Sequence, residues 1–294
     1  MKLVMTILVK NEEDIIENNI RFHADQGVDA FLVMDNDSDD QTPAILESLK
    51  SDYDLTVIHN SSMEYQQSQW MTALAKKAGK ELGADLVISN DADEFWSAKD
   101  GSPLKNKLSQ RDSIVTVKRY NYILSASEID NPDAYVYCKN KVVNPLVQDM
   151  NDAIYQEKLV LPLQKISPKV VVNPKGLRLI KGGNHRAKHW RFWNTRFSDD
   201  IIVEHYPIRS FSQFKKNILN RKKILELFPD KKMSPHYRRW LEYYAQGKLY
   251  DEYQRMILTE EESNILCRFG IVDRQAGSGL KKWADYKACE SLRA

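Results

Sequence analysis

The sequence predicts an α/β fold: a mostly parallel sheet flanked by helices, followed by a helical C-terminal extension. Two observations carry this reading. Over the first hundred residues, short apolar runs rich in β-forming residues alternate with stretches of helical period. The links between them are short, and strand–helix–strand alternation of that kind buries a parallel sheet on both faces. With 294 residues, 42% of them hydrophobic and 29% charged, the chain has a globular composition and room for one large domain with an appendage.

The elements follow in order. Residues 3–9 are apolar and read as a buried strand. Asn11 reads as the N-cap of a helix that carries Ile16, Ile20 and Ala24 at i+4 spacing and stops at Gly27. A second strand, 30–34, runs into the polar loop 35–40. Thr42 then caps a helix with Pro43 at its first position. Residues 55–58 form a third strand, and 66–82 a helix with Trp70, Leu74 and Ala78 on one face and Gly83 after it. The fourth strand, 86–89, ends in Asn90-Asp91-Ala92-Asp93-Glu94-Phe95-Trp96. Beyond Ser113 the pattern loosens. Strands are expected at 114–117 and 169–172, Pro162, Pro168 and Pro174 punctuate the stretch, and Gly182-Gly183 marks a turn. After Ser210 the chain turns helical, basic and aromatic.

Composition removes several classes. The formal net charge of +2 provides no whole-chain attraction for nucleic acid, and no nucleic-acid partner is expected. Cys138, Cys267 and Cys289 are odd in number and far apart, which opposes a disulfide framework or a thiolate zinc site and suits a reducing, cytoplasmic compartment. The apolar run 3–9 is too short to cross a bilayer, and no small-residue cleavage site follows it.

In open α/β sheets ligands sit beyond the carboxyl ends of the strands. Three polar loops stand there: 10–13, 35–40 and 90–94. Asp91 and Asp93 are two apart, and in extended chain such side chains point the same way. Two carboxylates on one side make a site for a hard cation such as Mg²⁺ or Mn²⁺, completed by phosphate oxygens. The run Asp35-Asn36-Asp37-Ser38-Asp39 is not a calcium loop of the EF-hand type: its sixth position is Asp40 rather than Gly, and its twelfth is Leu46 rather than Glu. It reads instead as a nucleotide-contacting loop, with Asp35 accepting from a base or ribose group.

Taken together, Val9-Lys10-Asn11-Glu12-Glu13, Met34 to Thr42 and Asn90 to Phe95 resemble glycosyltransferase family 2 and its GT-A fold, within a subgroup marked by Asp-Ala-Asp-Glu-Phe. The resemblance resumes at His205-Tyr206-Pro207-Ile208-Arg209-Ser210. It departs from the pattern at Asp37 and Gln41, where glycines are usual. It implies a catalytic domain over 1–210, with a nucleotide-binding half to residue 96 and an acceptor half from 97, and an extension over 211–294. Lys10, Asn11, Glu12, Asp35, Asn36 and Asp37 would line the nucleoside. Asp91 and Asp93 would hold Mn²⁺ or Mg²⁺ against the donor phosphates, with His205 completing the shell. A UDP-sugar is the expected donor, a saccharide or lipid-linked saccharide the acceptor, and inversion the expected course.

Lys165, Arg186 and Arg209 are candidates to neutralise the diphosphate leaving group. His185, in Gly182-Gly183-Asn184-His185-Arg186, lies where related enzymes place the base, and an imidazole titrates near working pH. Asp200, Asp199 and Glu204 are rivals. Residues 214–225 form a basic amphipathic helix that packs through Phe214, Ile218, Leu219 and Leu225, with peripheral contact to anionic headgroups at the inner face of a membrane as the sharper reading. Two other functions compete. Nucleotidyl transfer would call for a Gly- and Arg-rich phosphate loop where Lys10-Asn11-Glu12-Glu13 stands. A non-catalytic carbohydrate- or membrane-surface-binding protein is opposed by the presence of Asp91, Asp93 and His205.

Overall fold

The computed structural model describes residues 1–62, 66–129, 131, 133–146, 161–230, 234–275 and 278–291. In chain order these form β1 (Leu3–Val9), α1 (Ile16–Asp25), β2 (Ala30–Asp35), α2 (Thr42–Leu49), β3 (Leu55–His59), α3 (Gln67–Glu81), β4 (Leu86–Asp91), β5 (Glu94–Ala98) and β6 (Ile114–Ile123). They continue with α4 (Ala134–Tyr137), β7 (Asn140–Val142), β8 (Lys169–Val172), β9 (Leu177–Ile180), β10 (Ala187–His189) and β11 (Thr195–His205). The remainder is α5 (Phe211–Leu227), α6 (Pro235–Ala245), α7 (Leu249–Arg255), α8 (Glu260–Arg268), β12 (Val272–Asp273) and α9 (Gly279–Ser291). The chain divides into two compact units, each built from two stretches: Met1–Arg119 with Ser167–Glu204, and Tyr120–Ile166 with His205–Ala294.

The first unit is GT-A-like. Its sheet runs β6-β8-β4-β1-β2-β3, and β5 pairs with β11. The strands β4, β1, β2 and β3 are mutually parallel. The alternation of sequence dictates this, since each βαβ step returns the chain in the same direction. β8 instead lies antiparallel to both β4 and β6. Val4, Leu32, Val87, Val170 and Val172 form one apolar face with Met71, Leu74, Ala75 and Ala78 of α3, and Leu177 and Ile180 of β9 cover the same cluster. Gly79 lets α3 approach so closely that a Cβ there would meet Pro174 Cβ at 2.6 Å.

Two caps depart from the sequence reading. α1 begins at Ile16, and Asn11 is no cap; it adopts φ 58 and directs its side chain to another loop. Thr42 is the first residue of α2 rather than its cap, and its hydroxyl accepts from Glu12 N–H at 2.9 Å.

In the second unit β7 pairs antiparallel with the end of β6 and with β12, around a cluster of Ile123, Val142, Leu163, Leu258 and Val272. Ser210 caps α5 by accepting from Gln213 N–H, and Thr259 and Glu262 form a capping box on α8. The basic helix α5 packs Phe214 edge-on against Trp240 of α6, with centroids 4.8 Å apart. Trp240 is thus buried in the helix packing, while Tyr237, Tyr243 and Tyr244 are half-buried. Among the described residues no helix is long and apolar enough to cross a membrane.

Candidate active site

The site is built at the carboxyl edge of the parallel strands in the first unit. Val9 stands opposite Asp35 in the β1–β2 register, and Leu8 opposite Asp91 in the β1–β4 register. Asp35 and Asp91 therefore flank β1, two strand spacings or about 10 Å apart.

The loops after β1 and β2 interlock. Lys10 Nζ donates to the Asn36 carbonyl at 2.9 Å and also to that of Asp37. Asn11 N–H donates to Ser38 Oγ at 2.9 Å, and the Asn11 amide exchanges two bonds with Asp39, at 2.6 and 2.8 Å. Asn11 makes that exchange from a left-handed backbone, with φ 58, and Asp37 is left-handed as well, with φ 59. Asn and Asp tolerate this conformation better than most side chains, which explains how Asp37 fills a position where glycine is usual. Asp35 is buried; its Oδ1 accepts from Ser38 N–H at 3.2 Å and its Oδ2 lies 3.4 Å from the exposed His59 ring. Asn36 is buried, Glu12 half-buried, and Gln41 N–H is held by Glu13 at 2.9 Å.

The Asp91–Glu94 segment differs from the extended chain expected of it. β4 ends at Asp91, the chain turns at Ala92-Asp93, and β5 opens with Glu94. Strand alternation therefore does not relate Asp91 to Asp93. Asn19 of α1 clamps the turn, donating to the carbonyls of Ala92 and Glu94 at 2.8 and 2.9 Å, while Trp96 Nε1 donates to Asn90 Oδ1 at 2.8 Å. A buried, satisfied polar network of this kind rigidifies the backbone it grips.

Asp91 is engaged within its own unit. Lys169 Nζ donates to Oδ2, and Asn184 Nδ2 and Gln67 Nε2 donate to Oδ1 at 3.0 and 3.4 Å. Lys169 is fully buried and also pairs with Glu94 Oε1 at 2.9 Å, where Arg119 adds a second cation at 2.6 Å. The other oxygen, Glu94 Oε2, is buried with no hydrogen-bond partner, as is Asn184 Oδ1. The Asp93 and Glu94 carboxylates offer oxygens within 4.8 Å of one another. Carboxylate oxygens beside unsatisfied buried acceptors are the donor set a hard divalent cation takes, so these residues fit Mn²⁺ or Mg²⁺.

His185 joins this cluster. Its Nδ1 faces the Pro168 carbonyl at 3.1 Å, which makes Nδ1 the protonated nitrogen and Nε2 the acceptor. Burial, and then the charges of Lys169 and Arg119, push its pKa down to about 4. The ring is neutral at pH 7 and a weak base. Gly183, with φ 71, leaves room for it, since a Cβ there would meet His185 Nε2 at 2.4 Å. Asp200 lies elsewhere: its carbonyl accepts from Lys99 N–H at 2.8 Å, just beyond the end of β5 opposite Glu94. Asp199 and Arg186 are exposed and Glu204 is buried.

Lys165, His205 and Arg209 belong to the second unit. Lys165 is exposed, whereas Arg209, the other candidate for the leaving group in this unit, is buried to 1% exposure. His205 closes β11, and its Nδ1 lies 2.6 Å from Asn121 Oδ1. Donation to that oxygen makes Nε2 the acceptor, the arrangement typical of a metal-ligating imidazole.

Sequence reasoning missed Lys169, Arg119, Glu94, Asn184 and Gln67. Glu94 and Asn184 stood in motifs, but neither was given a role there. The rest reach Asp91 or Glu94 across at least 24 residues of chain, and no local spacing marks them.

A family model described as glycosyl transferase family 2 matches residues 6–160. The chain belongs to this family. It is a glycosyltransferase, and the strand ends that carry Lys10, Asp35 and Asp91 all fall inside the matched span. Among solved structures, S. aureus TarS 1-349 in complex with UDP-GlcNAc is similar at 12% identity and a TM-score of 0.46, over 85% of this glycosyltransferase and 73% of that chain. Glucosyl-3-phosphoglycerate synthase from Mycobacterium tuberculosis, in complex with Mn²⁺, UDP and glucosyl-3-phosphoglycerate, is similar at 17% identity and a TM-score of 0.32, over 59% of this chain and 57% of that one. Similarity this remote assigns no residue a role. No curated protein matches the chain.

Proposed function

We propose that this glycosyltransferase moves a sugar from a nucleoside-diphosphate donor, with a UDP-sugar the preferred choice, to a saccharide or lipid-linked saccharide acceptor, with inversion. The observation that carries the reading is the placement of Asp35 and Asp91 on either side of β1 at one sheet edge. Asp35 would accept from the base or ribose, held by the interlocked loops of Lys10, Asn11, Asn36 and Asp37. Asp93, with Asp91 and His205, would hold a divalent cation. When bound, the cation would offset the charge that builds on the departing diphosphate.

The chain's own residues supply the rest. Lys169 balances the charges of Asp91 and Glu94 from a fully buried position. His185 presents Nε2 as an acceptor and can orient the attacking hydroxyl, and its low basicity leaves little driving force for proton abstraction. Lys165, Arg186 and Arg209 are the cations proposed for the leaving group. The test is turnover of a panel of nucleotide sugars with Mn²⁺ or Mg²⁺, with and without chelator. Release of nucleoside diphosphate that requires metal supports the reading, and full activity in excess chelator removes the metal from it.

A further inference from the structure

Between Val170 and Ser198 the sequence contains seven Lys or Arg residues and no Asp or Glu. The structure turns this stretch into a surface. β9 and β10 pair as an antiparallel hairpin in the first unit. One face, with Leu177, Ile180 and His189, is buried, and Leu177 and Ile180 join the cluster of Met71 and Leu74 on α3. The other face turns Arg178 and Lys188 outward. Directly after the hairpin the chain exposes four large rings within eight residues: Trp190 at 63%, Phe192 at 74%, Trp193 at 63% and Phe197 at 51%. The Arg178 guanidinium sits 4.9 Å from the Trp190 ring centre. Lys175, Lys181 and Arg186 are also exposed, and Arg191 is half-buried. Arg196 is held by Asp112, which leaves six cations spread along the hairpin and the segment after it, with Arg178 against the Trp190 ring.

We propose that this aromatic, basic face is a docking surface for an anionic phospholipid bilayer. Soluble chains seldom expose apolar surface in one such cluster unless something covers it. Trp and Phe settle at the headgroup level of a bilayer, and a basic rim is drawn to the negative surface potential of anionic lipids. Neither signal holds a protein firmly by itself, and here the two coincide. The basic helix α5 lacks the aromatic half, because it turns Phe214 and Ile218 inward. A soluble polyanion would use the cations and leave the four rings without a partner. Stacking of nucleic-acid bases would call for rings presented in register, whereas Phe192 and Trp193 meet edge-to-face at 75°. The catalytic reading is not needed for this surface. The hairpin's other end, the turn carrying Asn184 and His185, lies roughly 13 Å away by strand rise.

The test uses the full chain with phosphatidylcholine vesicles, with and without phosphatidylglycerol, in a flotation assay. Binding should require the anionic lipid, and the joint substitution Trp190→Ser, Phe192→Ser and Trp193→Ser should weaken it about tenfold or more with the melting temperature unchanged. Vesicles with brominated acyl chains should quench the tryptophan emission of the native chain, and Trp190→Phe with Trp193→Phe should remove that quenching while vesicle binding persists. The proposal is overturned by absence of binding to the anionic vesicles, by undiminished binding of the triple variant, or by capture of polyphosphate or poly(U) without quenching by the brominated lipid.

Discussion

Asp35 and Asp91 occupy the two strands that flank β1, opposite Val9 and Leu8, so two carboxylates of different surroundings face the same sheet edge. Asp35 is buried and accepts from Ser38 N–H of its own loop, and Asp91 is tied to the buried ammonium of Lys169.

From this difference, Asp35→Ala should weaken binding of free UDP even without metal. A hydrogen bond to a charged group contributes about 1.5–3 kcal/mol, so the loss should be about tenfold or more. Isothermal titration in chelator measures it. Unchanged affinity would remove Asp35 from the nucleotide.

Asp93→Ala should abolish metal-dependent donor binding. His205→Ala should cost less, about 10- to 100-fold in apparent metal affinity, because water can occupy one ligand position. The readout is the rise in melting temperature that Mn²⁺ with UDP produces in the native chain. An Asp93→Ala chain that keeps the full rise would sink the assignment.

Lys169→Met should destabilise the chain by about 3–5 kcal/mol, since it leaves Asp91 and Glu94 without their shared buried cation. Adding Glu94→Gln should recover part of that loss, and a double-mutant cycle in urea reads the coupling. Strictly additive losses would mean that the ion pair is energetically idle.

His23 is wholly buried on α1, donating from Nδ1 to the Asn19 carbonyl at 2.8 Å and accepting Trp96 N–H at 3.0 Å. Burial pushes its pKa from 6.5 down to about 3. The unfolded chain then binds the extra proton first, so this stabilisation is fully present above pH 6.5 and is lost as pH falls through about 3. The contribution is on the order of 5 kcal/mol. His23→Gln should flatten the fall in stability between pH 6.5 and 5, measured by urea unfolding. An unaltered slope would show that other groups carry it.

Gly79→Ala reverses an ordinary sign. In a free helix the change stabilises by about 1 kcal/mol. Here the new methyl would meet Pro174 Cβ at 2.6 Å. Overpacking costs about 1–3 kcal/mol, so the melting temperature should fall.

Much of this was legible in the sequence. The alternation of apolar runs and helical periods determined the parallel strands β1–β4 and their helices, because a buried strand and an amphipathic helix each carry their pattern locally. The same pattern put Lys10, Asp35 and Asp91 at strand ends, hence on one edge. Only the tertiary structure decided how those groups are neutralised. Lys169 is 78 residues from Asp91, Asn184 is 93, and Arg119 is 25 from Glu94. A buried charge leaves no periodic trace, so these partners are visible only once folding has brought them together. The turn at Ala92-Asp93 was hidden for a related reason: Asn19 and Asn90 hold it from α1 and β4, and its own residues do not announce it. The exposed rings from Trp190 to Phe197 make the same point in reverse. Four of the eight residues from Trp190 to Phe197 are large and apolar, and only the fold, by burying the hairpin's other face, leaves them in water.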